Sequence, residues 1–372
     1  MTIAGLDCVS NGPDDFVMVS LKLAVSHVCH FVYSQLSKPK KKNSSFFFYN
    51  PRQKEMVVKI PTVPLNNGYE MPLIGFGTAN AYHDEIIRAV GDAIEAGYRH
   101  FDGASFYANE IEVGQAIRQK MEDGAVDRKD LFIVSKLWCT FMSPELVEPA
   151  LRQTLKDLQL NYLDLYVMHW PMAFEENTDL IPLDENGILK CKNVDYIHTW
   201  KAMEACVSQG LVRSIGVSNF NSQQLRRLMD HCTIRPVTNQ VEAHVYLSQK
   251  PMINLCREYE IVVTAYGPLG RPGLSQNPEN DPILLDDPKV KDIAVKYNRT
   301  VAQILLRYLT MQGLPVIPKS SSRARIIENL ASVDFDLATE DMALITGLNR
   351  DYRYLKNEWA SHHPHYPFHI PF

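Results

Sequence analysis

Leu131-Phe132-Ile133-Val134-Ser135-Lys136-Leu137-Trp138 is an apolar run that carries a lysine near its far end. Such a run fits a parallel strand covered on both faces. A lysine at its end is costly to bury unless it has a partner or a task. Two other runs finish in the same way. Tyr98-Arg99-His100-Phe101-Asp102 ends in an acid, with Tyr107 five residues on, and Leu163–His169 ends in a histidine. Three strands therefore bring Asp102, Lys136 and His169 to their carboxyl ends, with Tyr107 in a loop beside them.

On either side of this run, strand-like stretches alternate with helical patterns. Strands are expected at Leu73–Gly75, Arg99–Asp102, Phe132–Lys136, Leu163–His169, Ser214–Val217, Val237–Val241, Val262–Tyr266 and Val316–Pro318. Between them lie amphipathic segments such as Asp84–Ala96, with Ile86, Ile87, Val90, Ala93 and Ile94 on one face, and Glu145–Leu158, Ile197–Ser208, Ser222–Asp230, Lys250–Glu260 and Val301–Met311. The wide strand spacing signals βα repetition rather than hairpins. Eight such units predict a closed (β/α)8 barrel, with an open doubly wound sheet as the alternative. The open sheet would want G-x-G-x-x-G after its first strand. Gly75-Phe76-Gly77-Thr78-Ala79-Asn80 lacks the third glycine and reads as a strand-end turn. Ahead of the barrel, Asn67-Gly68 predicts a two-residue hairpin turn.

Residues 1–55 differ from the domain expected over 56–372. An apolar-rich stretch, Phe16–Leu36, is broken by Lys22, His27, His30 and serines, and is followed by Lys38-Pro39-Lys40-Lys41-Lys42. It has the length of a membrane span but poor apolar quality. Asp14 and Asp15 precede it where a signal peptide would carry a basic region. The stretch reads as a disordered or incidental extension, against the alternatives of a membrane or targeting segment or a small packed element. The chain has 372 residues, 45% of them hydrophobic, and a net charge of −5, which argues against a nucleic-acid partner. Seven cysteines, with no CxxC pair, imply reduced thiols in a cytoplasmic protein without a zinc site.

Each of the four polar groups has an ordinary explanation when taken alone: a helix cap, a snorkelling lysine, a core histidine, a half-buried tyrosine. Convergence on one barrel end disfavours four separate accidents, because catalytic groups gather at the carboxyl ends of barrel strands. A cation beside a phenol lowers its pKa. Lys136 supplies the cation and Asp102 balances it, so Tyr107 is expected to act as a general acid, with His169 orienting a carbonyl oxygen. A single histidine beside a lysine is poor metal ligation. The attacking hydride must come from a cofactor. Ser218, Asn219 and Gln240 suit an amide, and Tyr266 suits a flat ring. Lys319-Ser320-Ser321-Ser322, leading into Arg325, suits phosphate at a helix start. Two cations there favour NADP over NAD.

At these residues the chain resembles the aldo-keto reductase family, in its aldose/aldehyde reductase and hydroxysteroid dehydrogenase-like branch. The resemblance rests on Gly97–Asp102 with Tyr107 and Glu110–Gly114, Val134–Trp138, Leu165–Pro171, Ile215–Asn221, Asn239–Glu242, Ala265-Tyr266, Ile317–Ser320 and the closing Tyr366-Pro367-Phe368. It implies NADPH-dependent reduction of aldehydes or ketones by a monomer, with Tyr107 as proton donor, Lys136 and Asp102 tuning it, and His169 placing the carbonyl. Ser218, Asn219 and Gln240 would hold the carboxamide over Tyr266. Lys319, Ser320 and Arg325 would take the 2′-phosphate, and Glu328 and Asn329 the adenine. Gly77, Thr78 and Leu269 complete the cofactor set. Ala79, Trp138 and Trp170 would line the substrate pocket, with loops 172–193 and 271–282 and the C-terminal tail around it. Ala79 stands where aldose reductases carry a tryptophan, so a bulkier substrate than a small sugar is expected. Gly103 replaces a serine or threonine behind Asp102, and Gly267 and Arg271 replace serines near the pyrophosphate. The alternative is a cofactor-binding barrel with a structural or regulatory task. His362, His363, His365 and His369 are expected in a partly ordered tail rather than a metal site.

Overall fold

The computed structural model describes residues 60–176, 179–272 and 281–372. The extension over 1–55, and most of the loop expected over 271–282, lie outside the described residues.

Seven parallel strands form one sheet in sequence order: β3 (Phe76–Gly77), β4 (His100–Asp102), β5 (Phe132–Leu137), β6 (Leu163–Met168), β7 (Val212–Ser218), β8 (Thr238–Glu242) and β9 (Val262–Tyr266). The seam is closed by the eighth expected strand, which is reduced to a bridging segment. Val316 pairs in parallel with both Ile74 and Ala265. Gly75 N donates to Val316 O at 2.8 Å, and Ala265 N to Pro315 O at 2.8 Å. Pro315 and Pro318 have no N–H to extend the ladder, which keeps this strand short. The result is a (β/α)8 barrel. Two expectations shift here. The first strand's ladder is Phe76–Gly77, not Leu73–Gly75, and Phe76-Gly77 belongs to the strand rather than to a turn after it. Glycine is required at 77 because a Cβ there would lie 2.8 Å from Ile317 O across the seam.

Side chains alternate between the barrel interior and the helix layer. Phe132, Val134, Leu165, Val167 and Val237 form an inner apolar cluster with Leu65 and Met71. Ile133, Leu137, Tyr166, Met168, Ile215 and Val217 belong to the outer core, against the helices. Following the inward positions of β5 and β6 up to their carboxyl ends gives Lys136 and then His169; on β4 the same end gives Asp102. The low end is stoppered by the hairpin of β1 (Thr62–Pro64) and β2 (Glu70–Pro72), which brings Leu65 and Met71. Its turn is longer than expected. Leu65 N bonds Tyr69 O and Gly68 N bonds Leu65 O, leaving the three-residue loop Asn66–Gly68. Only Gly68 takes positive φ, at 86°, whereas a two-residue type I′ turn would need it at Asn67 as well.

The helices are α1 (His83–Ala96), α2 (Glu110–Glu122), α3 (Pro144–Asp157), α4 (Tyr196–Ser208), α5 (Ser222–His231), α6 (Lys250–Glu258), α7 (Pro288–Tyr297), α8 (Val301–Thr310), α9 (Arg323–Leu330) and α10 (Thr339–Thr346). Their starts are chemically marked. Asn221 with Gln224, and Thr300 with Gln303, form reciprocal capping boxes. Among the described residues no helix is long and apolar enough to cross a membrane.

Candidate active site

Lys136 is wholly buried and uses all three ammonium donors: to Asp102 Oδ1 at 2.5 Å, Gly103 O at 2.8 Å and Tyr107 Oη at 3.5 Å. Asp102 Oδ2 accepts from Gln240 Nε2 at 2.8 Å. Glycine at 103 therefore leaves Asp102 supported: Gln240 holds its carboxylate, and Thr78 Oγ1 holds its carbonyl at 3.0 Å. Tyr107 ends a short 3-10 turn, Ser105–Tyr107, which Ser105 Oγ pins to Lys136 O at 3.1 Å. Asn109, just after it, ties the loop to the carbonyls of Thr78 and Ala81, both at 2.8 Å. The Tyr107 and His169 rings meet edge-on with centroids 5.9 Å apart. All four groups anticipated from the sequence thus converge on one spot.

The electrostatics depart from expectation at one point. Burial raises the Tyr107 phenol above its ordinary value, and the opposing pull of Lys136 does not reverse this. The reading of a lowered phenol is corrected: desolvation outweighs the neighbouring cation. Burial works against the charge of Lys136 too, but Asp102 and Tyr107 more than offset it and hold its pKa above the usual lysine value. His169 is driven well below the usual imidazole value by burial, with Lys136 adding to the effect. It is a neutral imidazole, and its Nδ1 is buried without a hydrogen-bond partner among the described residues.

These groups lie at a cavity of about 850 Å³. Its lining includes Gly77, Thr78, Ala79, Asp102, Tyr107, Trp138, His169, Trp170, Ser218, Asn219, Gln240, Tyr266, Leu269, Lys319, Ser320 and Arg325. Glu328 and Asn329 are not among its lining: Glu328 accepts from Thr300 Oγ1 at 2.8 Å, and Asn329 is buried. The amide-binding candidates are joined to one another. Ser218 Oγ donates to Gln240 O at 2.7 Å, Asn219 Nδ2 to His169 O at 3.1 Å, and Tyr266 Oη to Asn219 Oδ1 at 2.9 Å. Asn219 takes φ of 60°, a region asparagine tolerates better than most residues.

Sequence reasoning missed Phe106, whose ring stacks on Trp138 at 3.8 Å between centroids and meets His169 edge-on. Its only sequence signal is adjacency to Tyr107. Ile181, Leu355, Asn357 and Trp359 complete the cavity wall, and they come from the loop and tail anticipated only as segments. The tail is more firmly held than expected. His363 is buried, its Nε2 lies 3.0 Å from Ala173 O, and burial pushes its pKa down to about 4. Among the described residues no group of three or more His, Cys, Asp or Glu side chains could hold a metal.

A profile described as the Aldo/keto reductase family matches residues 73–350. The chain belongs to this family. It is 47% identical over 310 residues to the horse (Equus caballus) aldo-keto reductase family 1 member C23-like protein, covering 82% of this chain and 96% of that one. It is 45% identical over 316 residues to prostaglandin F synthase 1 of Bos taurus, covering 83% and 98%. Mouse (Mus musculus) estradiol 17 beta-dehydrogenase 5 is 46% identical over 316 residues, covering 83% and 98%. The solved aldose reductase of Schistosoma japonicum superposes with a TM-score of 0.80 at 41% identity, covering 84% of this chain and all of that one. This aldo-keto reductase is an oxidoreductase acting on carbonyl groups.

Proposed function

We propose that the protein reduces aldehydes or ketones to alcohols with NADPH, using Tyr107 as general acid. The observation that carries this reading is the contact of the Tyr107 hydroxyl with the Lys136–Asp102 pair inside the cavity that also holds the amide- and phosphate-binding candidates. The donor set fits a dinucleotide. The cavity extends from Tyr107 past Tyr266 to the hydroxyls of Ser320, Ser321 and Ser322 and the guanidinium of Arg325. Arg325 is exposed, and among the described residues it has no hydrogen-bond or ion-pair partner. A reduced nicotinamide supplies the hydride when bound.

The chain's own residues do the rest. A phenol held above its ordinary pKa is fully protonated at neutral pH, so it enters the reaction as a donor. As the substrate oxygen gains negative charge, the phenol passes its proton to it, and the phenolate left behind faces the Lys136 ammonium. Lys136 thus stabilises the charge that the reaction creates, and Asp102 keeps the ammonium in place. Neutral His169 donates one hydrogen bond to the carbonyl oxygen without competing for the proton. Trp138, Trp170, Phe106 and Trp359 give the substrate end an aromatic wall, which favours bulky apolar carbonyl compounds over small sugars.

The test is NADPH oxidation with an aromatic aldehyde by wild type and Tyr107→Phe. Loss of about two to four orders of magnitude in turnover, with coenzyme binding retained, is the expected outcome. Equal rates would remove Tyr107 from the mechanism. Coenzyme binding without turnover of any aldehyde or ketone would favour the non-catalytic alternative.

A further inference from the structure

Glu85 lies in the first turn of α1, facing the segment proposed above to take the coenzyme's 2′-phosphate. Its carboxylate accepts from the Ser321 hydroxyl and stands 3.6 Å from Lys319 Nζ. Lys319 also donates to Ser321 Oγ at 2.8 Å, so the three side chains form a closed triangle. Farther along the same helix, Asp92 and Glu95 both pair with Arg323, at 2.5 and 2.9 Å. One face of α1 therefore neutralises two of the three cations in the stretch 319–325. Arg325 is the cation left uncommitted among the described residues.

A carboxylate inside a phosphate-binding cluster works against binding. The atoms Glu85 engages, Lys319 Nζ and Ser321 Oγ, are those a phosphate monoester would use. A phosphate reaching them must break the Glu85 contacts or lie beside a like charge. Glu85 is 45% exposed and Lys319 30%, so solvent screens the pair and its strength is that of a surface ion pair. The coenzymes NADPH and NADH differ only in that phosphate, so the penalty falls on one of them.

We infer that Glu85 is a specificity-determining residue: it competes with the 2′-phosphate for Lys319 and Ser321 and narrows the preference for NADPH over NADH. This rests on the proposed use of NADPH, with Lys319 and Arg325, both in the cavity lining, taking the 2′-phosphate as the family resemblance implies.

The experiment titrates the full-length protein with NADPH and with NADH, reading dissociation constants from quenching of tryptophan fluorescence. The proteins are wild type, Glu85→Gln, Lys319→Gln, Arg325→Gln and the Glu85→Gln/Lys319→Gln double variant. Glu85→Gln is expected to tighten NADPH by roughly two- to fivefold, the scale of one exposed ion pair, and to leave NADH unmoved. The gain should vanish in the double variant. Unchanged or weaker NADPH binding in Glu85→Gln, or equal tightening of both coenzymes, overturns the inference. If Lys319→Gln and Arg325→Gln lower the NADPH/NADH preference while Glu85→Gln does nothing, the inference alone falls. If neither cation variant changes that preference, the phosphate assignment falls and takes the inference with it.

Discussion

Gln240 on β8 donates from its side-chain amide to Asp102 on β4, 2.8 Å away and across the barrel. The residue expected to hold a nicotinamide amide is thus also a support for the carboxylate that anchors Lys136. One side chain joins the cofactor floor to the proton-transfer group. Replacing it with methionine keeps the volume and removes the donor. Hydrogen bonds to charged groups contribute ~1.5–3 kcal/mol. The Gln240→Met variant should lose stability of about that size in urea unfolding, and bind coenzyme more weakly. Wild-type stability would mean that Asp102 does not depend on this bond.

The directions of the Tyr107 and His169 shifts set a pH profile. His169 is held well below 6.5, so it stays neutral across the physiological range. Tyr107 is held above 10.0, so the proton-bearing form persists into alkaline solution. Turnover with saturating NADPH is expected to stay flat from about pH 6 to 8 and to fall only above the ordinary tyrosine value. A titration near the ordinary imidazole value that disappears in His169→Gln would contradict the neutral assignment.

Glu242, at the end of β8, is completely buried and accepts from Tyr354 N at 2.7 Å, Leu355 N at 2.8 Å and His244 Nε2 at 2.9 Å. It clamps the tail at Leu355, where the tail joins the cavity wall, and just ahead of Asn357 and Trp359. The Glu242→Gln variant loses the charge behind these bonds. Breaking a buried charged contact costs about 3–5 kcal/mol, and the amide's remaining acceptor moderates the loss. Chemical unfolding should register a loss of a few kcal/mol. The KM for a bulky aromatic ketone should rise more than that for a small aldehyde, with NADPH affinity held. A uniform change across substrates would assign Glu242 to general stability alone.

The central strands were legible because they are buried on both faces and break pattern only where Asp102, Lys136 and His169 stand. The barrel seam was less legible. Val316 pairs with residues far away in sequence, and the flanking prolines shorten its ladder, so periodicity had little to read. Helix α2 was not placed because its sequence alternates charge with apolar residues and buries a glutamate at its start. Phe106 carries no motif, and its role depends on where Trp138 stacks. The direction of the Tyr107 shift needed the extent of its burial, since a nearby lysine alone gives the opposite answer. His363 gave no sign that the tail would be anchored, because its partner is the backbone of Ala173, 190 residues earlier.

That buried glutamate gives a stability prediction. Glu110 accepts from Ser135 Oγ at 2.5 Å and Thr154 Oγ1 at 3.0 Å, and neither donor is charged. Burial raises its pKa from 4.5 to about 7, against the pull of those two hydroxyls. The folded state therefore holds a proton that the unfolded chain has released, across the interval between those values. Stability from this group is fully present below pH 4.5 and is lost as pH rises through about 7. At ~1.4 kcal/mol per unit the whole change is about 3 kcal/mol. Glutamine has the same shape, can accept from one hydroxyl and donate to the other, and does not titrate. In urea unfolding, Glu110→Gln should match wild type near pH 5 and exceed it by about 1–3 kcal/mol at pH 8. A variant less stable than wild type at pH 8 would mean that the ionised carboxylate is needed there, and the raised pKa would then be wrong.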